Sequence, residues 1–447
     1  MAKDWAKLGG DEGTEVDTSR LGRALRFGGI ATRVSGSFLK RQLARLGRDT
    51  NELEAAAGAA MDNAKHIVEV MGEMKGAAMK IGQLLSTDPD LVDPSFAERL
   101  ATLQRTAPPM SFEMLSAQFE AGTDRPLTSV FRYFDPEPIG SASIGQVHRG
   151  VLFDGREVAC KIQYPGVADS IDSDLSNVAS LLKLGRVFMS RERADTFIAE
   201  AREAITREAD YTIEAENLRR FHKHLGHRPG VRIPKPIEGF VFPSVLMMDF
   251  ISAEPFVDGI NARTDPALRD AIASRFIELF AYMFHDLNEL HADPHPGNFM
   301  LDSDDNIVLL DFGCVRAFDP NQADNVLRML RAFWDDDMTR LTDLYRVMGF
   351  GSEGMEMPDE EAMRTYHGLI LEPLATHGKF RFSDFKIHSR VREFFKSHLS
   401  FLKLVPPANL LLYLRVIAGL KGMMTLVDAG VDFRTMAEAC CERRGVE

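Results

Sequence analysis

The spacing of apolar and polar positions divides the chain into helical regions and a region of short strands. Residues 51–125, rich in Ala, Met and Glu, predict a helical extension. Short apolar runs predict strands within Val130 to Ile162, Ile237 to Val241 and Val245 to Met248. A helix is predicted from Arg193 to Leu225, and the pattern is mainly helical from Ala267 onward. This order predicts an α+β fold with two lobes, the smaller containing the sheet.

Changes in composition and periodicity predict four segments along the chain. They are a polar start with a basic amphipathic segment at 1–50, a helical extension at 51–125, a small lobe at 126–250 and a mainly helical large lobe at 251–447. With 447 residues and 45% hydrophobic content, the chain can bury a substantial core.

A group of residues suited to binding metal and phosphate lies in the predicted large lobe. Asp293 and Asn298 are five residues apart, and Asp311-Phe312-Gly313 follows an apolar run that predicts a strand. Protein kinases have this spacing in their H-R-D-L-x-x-x-N and D-F-G motifs. Because Mg²⁺ takes oxygen ligands, Asn298 and Asp311 are predicted metal ligands, and Asp293 is predicted to face the nucleophile. An ordinary turn contains the same residue types, so the pattern needs support from the rest of the chain.

The predicted small lobe supplies that support. Val158-Ala159-Cys160-Lys161 matches the V-A-I-K strand whose lysine contacts the α- and β-phosphates. A small-residue turn at 140–147 precedes it, and Ala142 and Ser143 are predicted to meet the nucleotide there. The turn is neither a G-x-G-x-x-G loop nor a Walker A loop, and a plain β-hairpin explains it equally well. Met248 lies in a hinge-like run whose backbone would meet adenine.

Taken together, these motifs resemble the UbiB (AarF-domain) family of atypical kinase-like proteins. The most diagnostic element is Lys80-Ile81-Gly82-Gln83, which matches the family's K-x-G-Q motif. The resemblance implies a kinase-like fold that binds ATP (or ADP) and Mg²⁺. It also implies that the helix carrying Lys80 and Gln83 occupies the side of the cleft where a peptide would dock. Phosphorylation of other proteins is therefore not expected.

The resemblance also assigns roles to three acidic residues in the helix predicted from Arg193 to Leu225. Glu208 and Asp210 match the family's E-x-D motif and would hold the K-x-G-Q helix, while Glu214 would pair with Lys161. A charged, solvated helix face is the alternative reading of these residues.

Two features of the sequence limit what the resemblance implies. The family commonly has Ala-Ala-Ala-Ser where this chain has Gly140-Ser141-Ala142-Ser143, which leaves the choice between ATP and ADP open. Ala292 occupies the position of the kinase H-R-D arginine, so activation by phosphorylation is not expected.

Charge is distributed unevenly along the chain. The net charge is −13, yet the stretch from Arg20 to Arg48 has eight basic residues and no acidic one. Apolar residues recur within this stretch at roughly helical spacing, which favours binding to an anionic membrane surface or lipid, or docking within the protein. Residues 1–19 contain five acidic residues, which is unlike a mitochondrial transit peptide. Nucleic-acid binding is not expected because the rest of the chain is strongly acidic.

The apolar stretches and the cysteines of the sequence predict where the protein resides. The apolar stretch from Leu404 to Leu420 is interrupted by Pro406, Pro407 and Arg415, so no segment is predicted to span a bilayer. Four cysteines form no disulfide framework, which suits a reducing compartment. We expect a cytoplasmic protein peripheral to the inner membrane of a bacterium, or one on the matrix face of the inner membrane in a mitochondrion.

The function implied by the resemblance is support of coenzyme Q (ubiquinone) biosynthesis by an ATP-dependent enzyme, with proteins of that pathway as partners. Two alternatives stay open. One is a small-molecule kinase of the aminoglycoside or choline type, and the other is a pseudokinase scaffold that binds nucleotide without turning it over.

Overall fold

The computed structural model describes most of the chain from Met110 onward. The described residues are 110–142, 144–168, 171–172, 175–176, 191–351, 354–385 and 387–446. Lys80, Gln83, Ser143 and the basic segment at 20–48 lie outside the described residues, as does the predicted helical extension before residue 110. The segment boundaries predicted at residues 50, 125 and 250 stay predictions.

Strands and helices are numbered here in chain order. The strands are β1 Phe131–Phe134, β2 Gly140–Ala142, β3 Gly145–Leu152, β4 Glu157–Gln163, β5 Val231–Arg232, β6 Pro236–Phe242, β7 Val245–Asp249, β8 Glu254–Pro255, β9 Glu289–His291, β10 Phe299–Leu301, β11 Ile307–Leu309 and β12 Val315–Ala317. The helices are α1 Phe112–Thr123, α2 Leu127–Val130, α3 Arg191–Glu208, α4 Tyr211–Leu225, α5 Phe256–Ala262, α6 Pro266–His285, α7 Pro320–Trp334, α8 Met338–Val347, α9 Glu360–Ile370, α10 Glu372–Ala375, α11 Ile387–Ser397, α12 Ala408–Thr425 and α13 Phe433–Arg444. Short 3₁₀ turns occur at Pro296–Asn298, Phe382–Asp384 and Leu399–Lys403.

The described chain divides into two compact units. The first unit comprises the described residues up to Arg219 together with Lys235–Phe250, and the second comprises Arg220–Pro234 and the residues from Ile251 onward.

An antiparallel sheet forms the centre of the first unit. Its strand order is β1-β3-β4-β7-β6, with β2 paired to the outer part of β3. Helix α1 contacts β4, β6 and β7. Its Phe119 is fully buried against Phe131, which in turn contacts Phe134 edge to face at 4.9 Å between ring centroids. Burial of these large rings makes this one of the main apolar cores of the unit.

The prediction of one helix from Arg193 to Leu225 is wrong, because the structure has two helices there. α3 ends at Glu208 and α4 begins at Tyr211. Oδ1 of Asp210 accepts hydrogen bonds from the Thr212 backbone N–H (2.9 Å) and the Thr212 hydroxyl (2.6 Å). An aspartate that accepts from the second residue of a helix is a strong N-cap, and it starts a new helix at this point.

The second unit has small sheets and a large helical part. One sheet has the order β5-β11-β10-β8, with β5 parallel to β11, and β9 pairs with β12 in a two-stranded sheet. Helices α6, α7 and α9 each begin after an aspartate whose side chain accepts from a backbone N–H of the first turn. The apolar core includes Phe276 and Phe299, whose rings meet at 5.1 Å. Among the described helices, none is both long enough and apolar enough to cross a membrane.

Candidate functional site

A buried ion pair joins β4 to α4 in the first unit. The Nζ atom of Lys161 lies 3.0 and 2.8 Å from the two carboxylate oxygens of Glu214, and also 5.0 Å from the centre of the Tyr211 ring. Lys161 is 4% exposed and Glu214 is 2% exposed. The sequence predicted that these two residues would meet, and the structure brings them together.

The position of Lys161 follows from the register of the sheet. It lies opposite Val147 of β3 and Leu246 of β7, in the middle of the sheet. A lysine and a glutamate lose their hydration there, so each needs the other to remain charged. The adjacent Cys160 is fully buried, and burial raises the pKa of its thiol, so it behaves as a small apolar residue rather than a nucleophile.

The small-residue turn is a hairpin between β2 and β3. Gly140 pairs with Val147, and Ala142 pairs with Gly145. A methyl group at Gly145 would lie 2.5 Å from the Ile162 carbonyl oxygen and 2.6 Å from the Tyr211 hydroxyl, so only glycine fits. The sequence alone gives no reason for a glycine at this position. The reason is close approach to β4 and α4, which periodicity cannot reveal.

Met248 and the predicted E-x-D residues also belong to the first unit. Met248 is 6% exposed on β7, opposite Ala159 of β4. Glu208 is partly exposed at the end of α3, and Asp210 caps α4. Because Lys80 and Gln83 lie outside the described residues, the predicted role of Glu208 and Asp210 in holding the K-x-G-Q helix stays a prediction.

The catalytic-loop residues of the second unit form a tight local structure. The Ala292 N–H donates to the Cys314 carbonyl at 2.8 Å, which extends the pairing of β9 with β12. The side-chain amide of Asn298 donates to the Asp293 carbonyl oxygen at 3.0 Å and to the Asp293 carboxylate at 3.2 Å. Asp293 and Asn298 are both half-buried. The structure thus brings together the two residues that the sequence placed five apart.

Asp311 follows directly on this loop. The Leu310 N–H donates to the Asn298 carbonyl at 2.8 Å, and Oδ1 of Asp311 accepts from the Gly313 N–H at 3.1 Å. The backbone of Asp311 is left-handed, with φ of 50°. Asp and Asn tolerate that conformation better than most residues, which is compatible with a carboxylate held in a fixed direction at a functional turn.

His291 holds the Asp311 turn, a role that the sequence analysis did not assign. It is fully buried, and its Nε2 lies 2.9 Å from the Asp311 carbonyl oxygen, so this nitrogen donates the hydrogen bond. The His291 ring also contacts Phe312 at 5.3 Å, and Phe312 contacts Phe221 of α4 at 4.9 Å. The signal in the sequence was present, since His291 occupies the position of the histidine in the kinase H-R-D motif.

The donor types at this site suit a magnesium ion. Asn298 offers an amide oxygen, because its amide nitrogen is engaged by Asp293, and Asp311 offers a carboxylate. Within the described part of the chain, no group of three or more His, Cys, Asp or Glu residues could hold a metal ion. A magnesium ion bound by Asn298 and Asp311 would therefore need phosphate or water oxygens to complete its coordination.

Several known proteins are similar to this chain in sequence or in fold. Residues 102–345 match the ABC1 atypical kinase-like domain. The chain is 29% identical to the atypical kinase coq-8, mitochondrial, of Caenorhabditis elegans, over 91% of this chain and 55% of that protein. It is 30% identical to the atypical kinase COQ8B, mitochondrial, of Rattus norvegicus, over 85% of this chain and 72% of that protein. The chain thus spans little more than half the length of the C. elegans relative.

A solved structure supports the same assignment. It is described as the complex of Rv3197 with erythromycin from Mycobacterium tuberculosis, and it is similar with a TM-score of 0.60 and 26% sequence identity. The similarity covers 86% of this chain and 97% of the other. The predicted kinase-like fold with mixed helices and sheets is confirmed. The chain belongs to the family of ABC1 atypical kinase-like proteins, the UbiB (AarF-domain) family that its motifs resemble.

Proposed function

We propose that this protein is an atypical kinase or ATPase that binds Mg²⁺-ATP and supports coenzyme Q biosynthesis at a membrane surface. The observation that carries the proposal is the buried pair of Lys161 and Glu214. Burial of a lysine at the centre of a sheet is costly even when it is paired, and a pair of this kind is often not stabilising. A functional need for a fixed ammonium group explains why the chain keeps it.

Each proposed site residue has a role that its surroundings allow. Lys161 would contact the α- and β-phosphates, with Glu214 fixing the direction of its ammonium group. Ala142 and Ser143 would cover the phosphates, and the backbone near Met248 would meet adenine. The position of Ala142 at the end of β2 and of Met248 on β7 supports the roles proposed for these two residues.

The acidic residues of the second unit would serve the metal and the acceptor. Asn298 and Asp311 would bind magnesium, which when bound neutralises charge on the transferred phosphoryl group. Asp293 would orient the nucleophile, and its hydrogen bond from Asn298 keeps its carboxylate in place. His291 would act as a positioning residue, because it binds the backbone of Asp311 rather than the nucleotide.

The decisive experiment compares phosphate release from ATP by the wild type and by Asp311→Asn. Asparagine tolerates the left-handed backbone at this position, so the variant should fold. Loss of the carboxylate should lower the rate by about a hundredfold or more, because the metal ligand is charged. The matched control is Asp304→Asn on the β10–β11 turn, an exposed aspartate outside the proposed site. Full turnover by Asp311→Asn would refute Asp311 as a metal ligand, and no turnover by the wild type would favour a nucleotide-binding scaffold.

A second candidate function is phosphorylation or binding of a small molecule. It is supported by the similar M. tuberculosis structure, which is described as a complex with erythromycin. Incubating the protein with radiolabelled ATP and a panel of hydroxylated small molecules would test it. Labelled product that depends on Asp293 would support a small-molecule kinase, and phosphate release without any labelled acceptor would support an ATPase.

The proposed location is peripheral to a membrane. Relatives with similar sequences are named as mitochondrial proteins, and the basic segment from Arg20 to Arg48 supports contact with anionic lipid. Proteins of ubiquinone biosynthesis are the proposed partners.

A further inference from the structure

The C-terminal part of the second unit exposes an unusual amount of apolar surface. Ten large hydrophobic residues are exposed in the described part of the chain, and six of them lie within the short stretch from Leu399 to Leu426. These six are Leu399, Val405, Leu411, Leu414, Ile417 and Leu426. Single exposed apolar residues are normal on a protein surface, but a concentration of this kind marks an interaction site.

Helix α12 (Ala408–Thr425) presents two apolar faces. Val416, Leu420 and Met423 are buried and hold the helix on the second unit. Leu411, Leu414 and Ile417 are 42–44% exposed, and helical spacing places them on the side away from those buried residues. A helix with apolar residues on both sides needs a second apolar environment to cover the outer side.

The charges around this helix indicate which environment that is. The charged residues of α12 are Arg415 and Lys421, which helical spacing places beside Leu411 and Leu414, in a chain whose net charge is −13. An exposed apolar helix face flanked by basic residues is typical of segments that lie on anionic membranes. The basic segment at 20–48 is a poor occupant, because like charges repel.

We propose that the outer face of α12, formed by Leu411, Leu414 and Ile417, is a membrane-contacting surface that binds anionic phospholipid. This inference rests on the proposed peripheral location and names the surface responsible for it. It is separate from the predicted role of residues 20–48.

The same helix touches the catalytic loop. A methyl group at Gly419 would lie 2.5 Å from Cγ of Pro294, the residue after Asp293. A membrane in contact with α12 would therefore lie beside the loop that carries the proposed acceptor-orienting residue. This arrangement favours an acceptor drawn from the membrane, of low water solubility, over a soluble one.

The first experiment measures binding of the full chain to vesicles by sedimentation. We expect the wild type to bind vesicles of equimolar phosphatidylcholine and phosphatidylglycerol and to bind vesicles of phosphatidylcholine alone more weakly. The triple variant Leu411→Gln, Leu414→Gln, Ile417→Gln should bind about tenfold more weakly or worse, because three apolar side chains no longer enter the lipid. The control variant Phe153→Gln, Val347→Gln removes two exposed apolar residues elsewhere and should bind like the wild type.

Phosphate release in the absence of vesicles separates this proposal from the proposed function. The triple variant should retain wild-type release, because its changes lie on the exposed side of α12. Wild-type vesicle binding by the triple variant would overturn the α12 surface while leaving the enzymatic proposal intact. Absence of vesicle binding by the wild type would also overturn it, and a loss of self-association in the triple variant alone would assign the face to a second copy of the chain.

A local probe gives the second measurement. Leu414→Trp should show a blue shift of tryptophan emission on adding the anionic vesicles, whereas Val347→Trp should not. Emission from Leu414→Trp that is already blue-shifted without vesicles would mean that another part of the chain covers the face, and the proposal would fail.

Discussion

The two sets of proposed site residues, one in each unit, differ in how deeply they are buried. In the first unit, Lys161 and Glu214 are almost fully buried and bind each other. In the second unit, Asp293, Asn298 and Asp311 are half-buried. The first arrangement fixes a charge before any ligand arrives, and the second keeps oxygen atoms within reach of a ligand.

This difference has an energetic meaning. A buried pair couples activity to folding, because removing one partner leaves an uncompensated charge in a low-dielectric interior. Half-buried residues can be changed with little effect on folding, because water compensates for lost hydrogen bonds. Substitutions in the first unit should therefore act mainly on stability, and substitutions in the second mainly on turnover.

The largest effect on stability is expected from breaking the Lys161–Glu214 pair. Glu214→Ala should lower the free energy of unfolding by about 3–5 kcal/mol, because the buried ammonium group loses the carboxylate of Glu214. The double variant Lys161→Met, Glu214→Ala should recover much of that loss. Asn298→Ala should cost only about 1 kcal/mol, although it should impair nucleotide turnover. Denaturant unfolding of the four proteins provides the measurement.

A surface ion pair serves as the control for this comparison. Arg219 and Glu238 form a pair in the same unit, with side chains that are 39% and 78% exposed. Glu238→Ala should change the free energy of unfolding by less than about 1 kcal/mol. Equal costs for Glu214→Ala and Glu238→Ala would contradict the view that burial makes the first pair critical.

Local motifs in the sequence predicted much of the site, because the spacing of Asp293, Asn298 and Asp311 reflects a turn closed by neighbouring hydrogen bonds. The strand containing Lys161 was likewise visible from its alternating pattern. Contacts distant in sequence were harder to predict. Nothing near Gly145 in the sequence indicates Tyr211, although their approach excludes any side chain at that position.

The break between α3 and α4 shows a different limit. Periodicity continues across Asp210, so a single helix was the natural prediction. The side chain of Asp210 instead competes with the backbone by accepting from Thr212, and the Tyr211 N–H donates to the Pro243 carbonyl at 2.9 Å. Asp210 was recognisable in the sequence as a capping residue, whereas the hydrogen bond from Tyr211 depends on the turn between β6 and β7, which is distant in sequence.

A buried neutral pair in the second unit offers a contrast with the buried ionic pair. His367 donates from Nδ1 to the Met363 carbonyl (2.7 Å), so its Nε2 accepts from the Tyr345 hydroxyl (2.9 Å). Burial lowers the pKa of His367 to about 4, and burial likewise lowers the pKa of His285 to about 4. Both rings are therefore neutral in the folded protein at pH 7.

Acid should destabilise the protein through these two histidines. The unfolded chain takes up their protons near pH 6.5, whereas the folded protein resists until about pH 4. The stability contributed by the two neutral rings is therefore fully present above about pH 6.5. It falls as the pH drops towards 4, by up to about 3 kcal/mol for each ring. His367→Gln should reduce the fall in the free energy of unfolding between about pH 6.5 and about pH 4, measured by denaturant unfolding. The exposed His377→Gln should leave it unchanged, and an equal fall in all three proteins would exclude His367 as a cause.

The smallest expected effect concerns how α12 supports the catalytic loop from outside. Gly419 and Gly422 lie on the same helix, but only Gly419 approaches another residue closely, at Pro294. Gly419→Ala should cost about 1–2 kcal/mol through overpacking and should lower turnover, because Pro294 adjoins Asp293. Gly422→Ala meets no atom within 4 Å and should stabilise the helix by about 0.5–1 kcal/mol without changing turnover. If the two substitutions change the free energy of unfolding in opposite directions, the half-buried catalytic loop depends on a closely packed glycine. If they change it in the same direction, Pro294 can move away without cost.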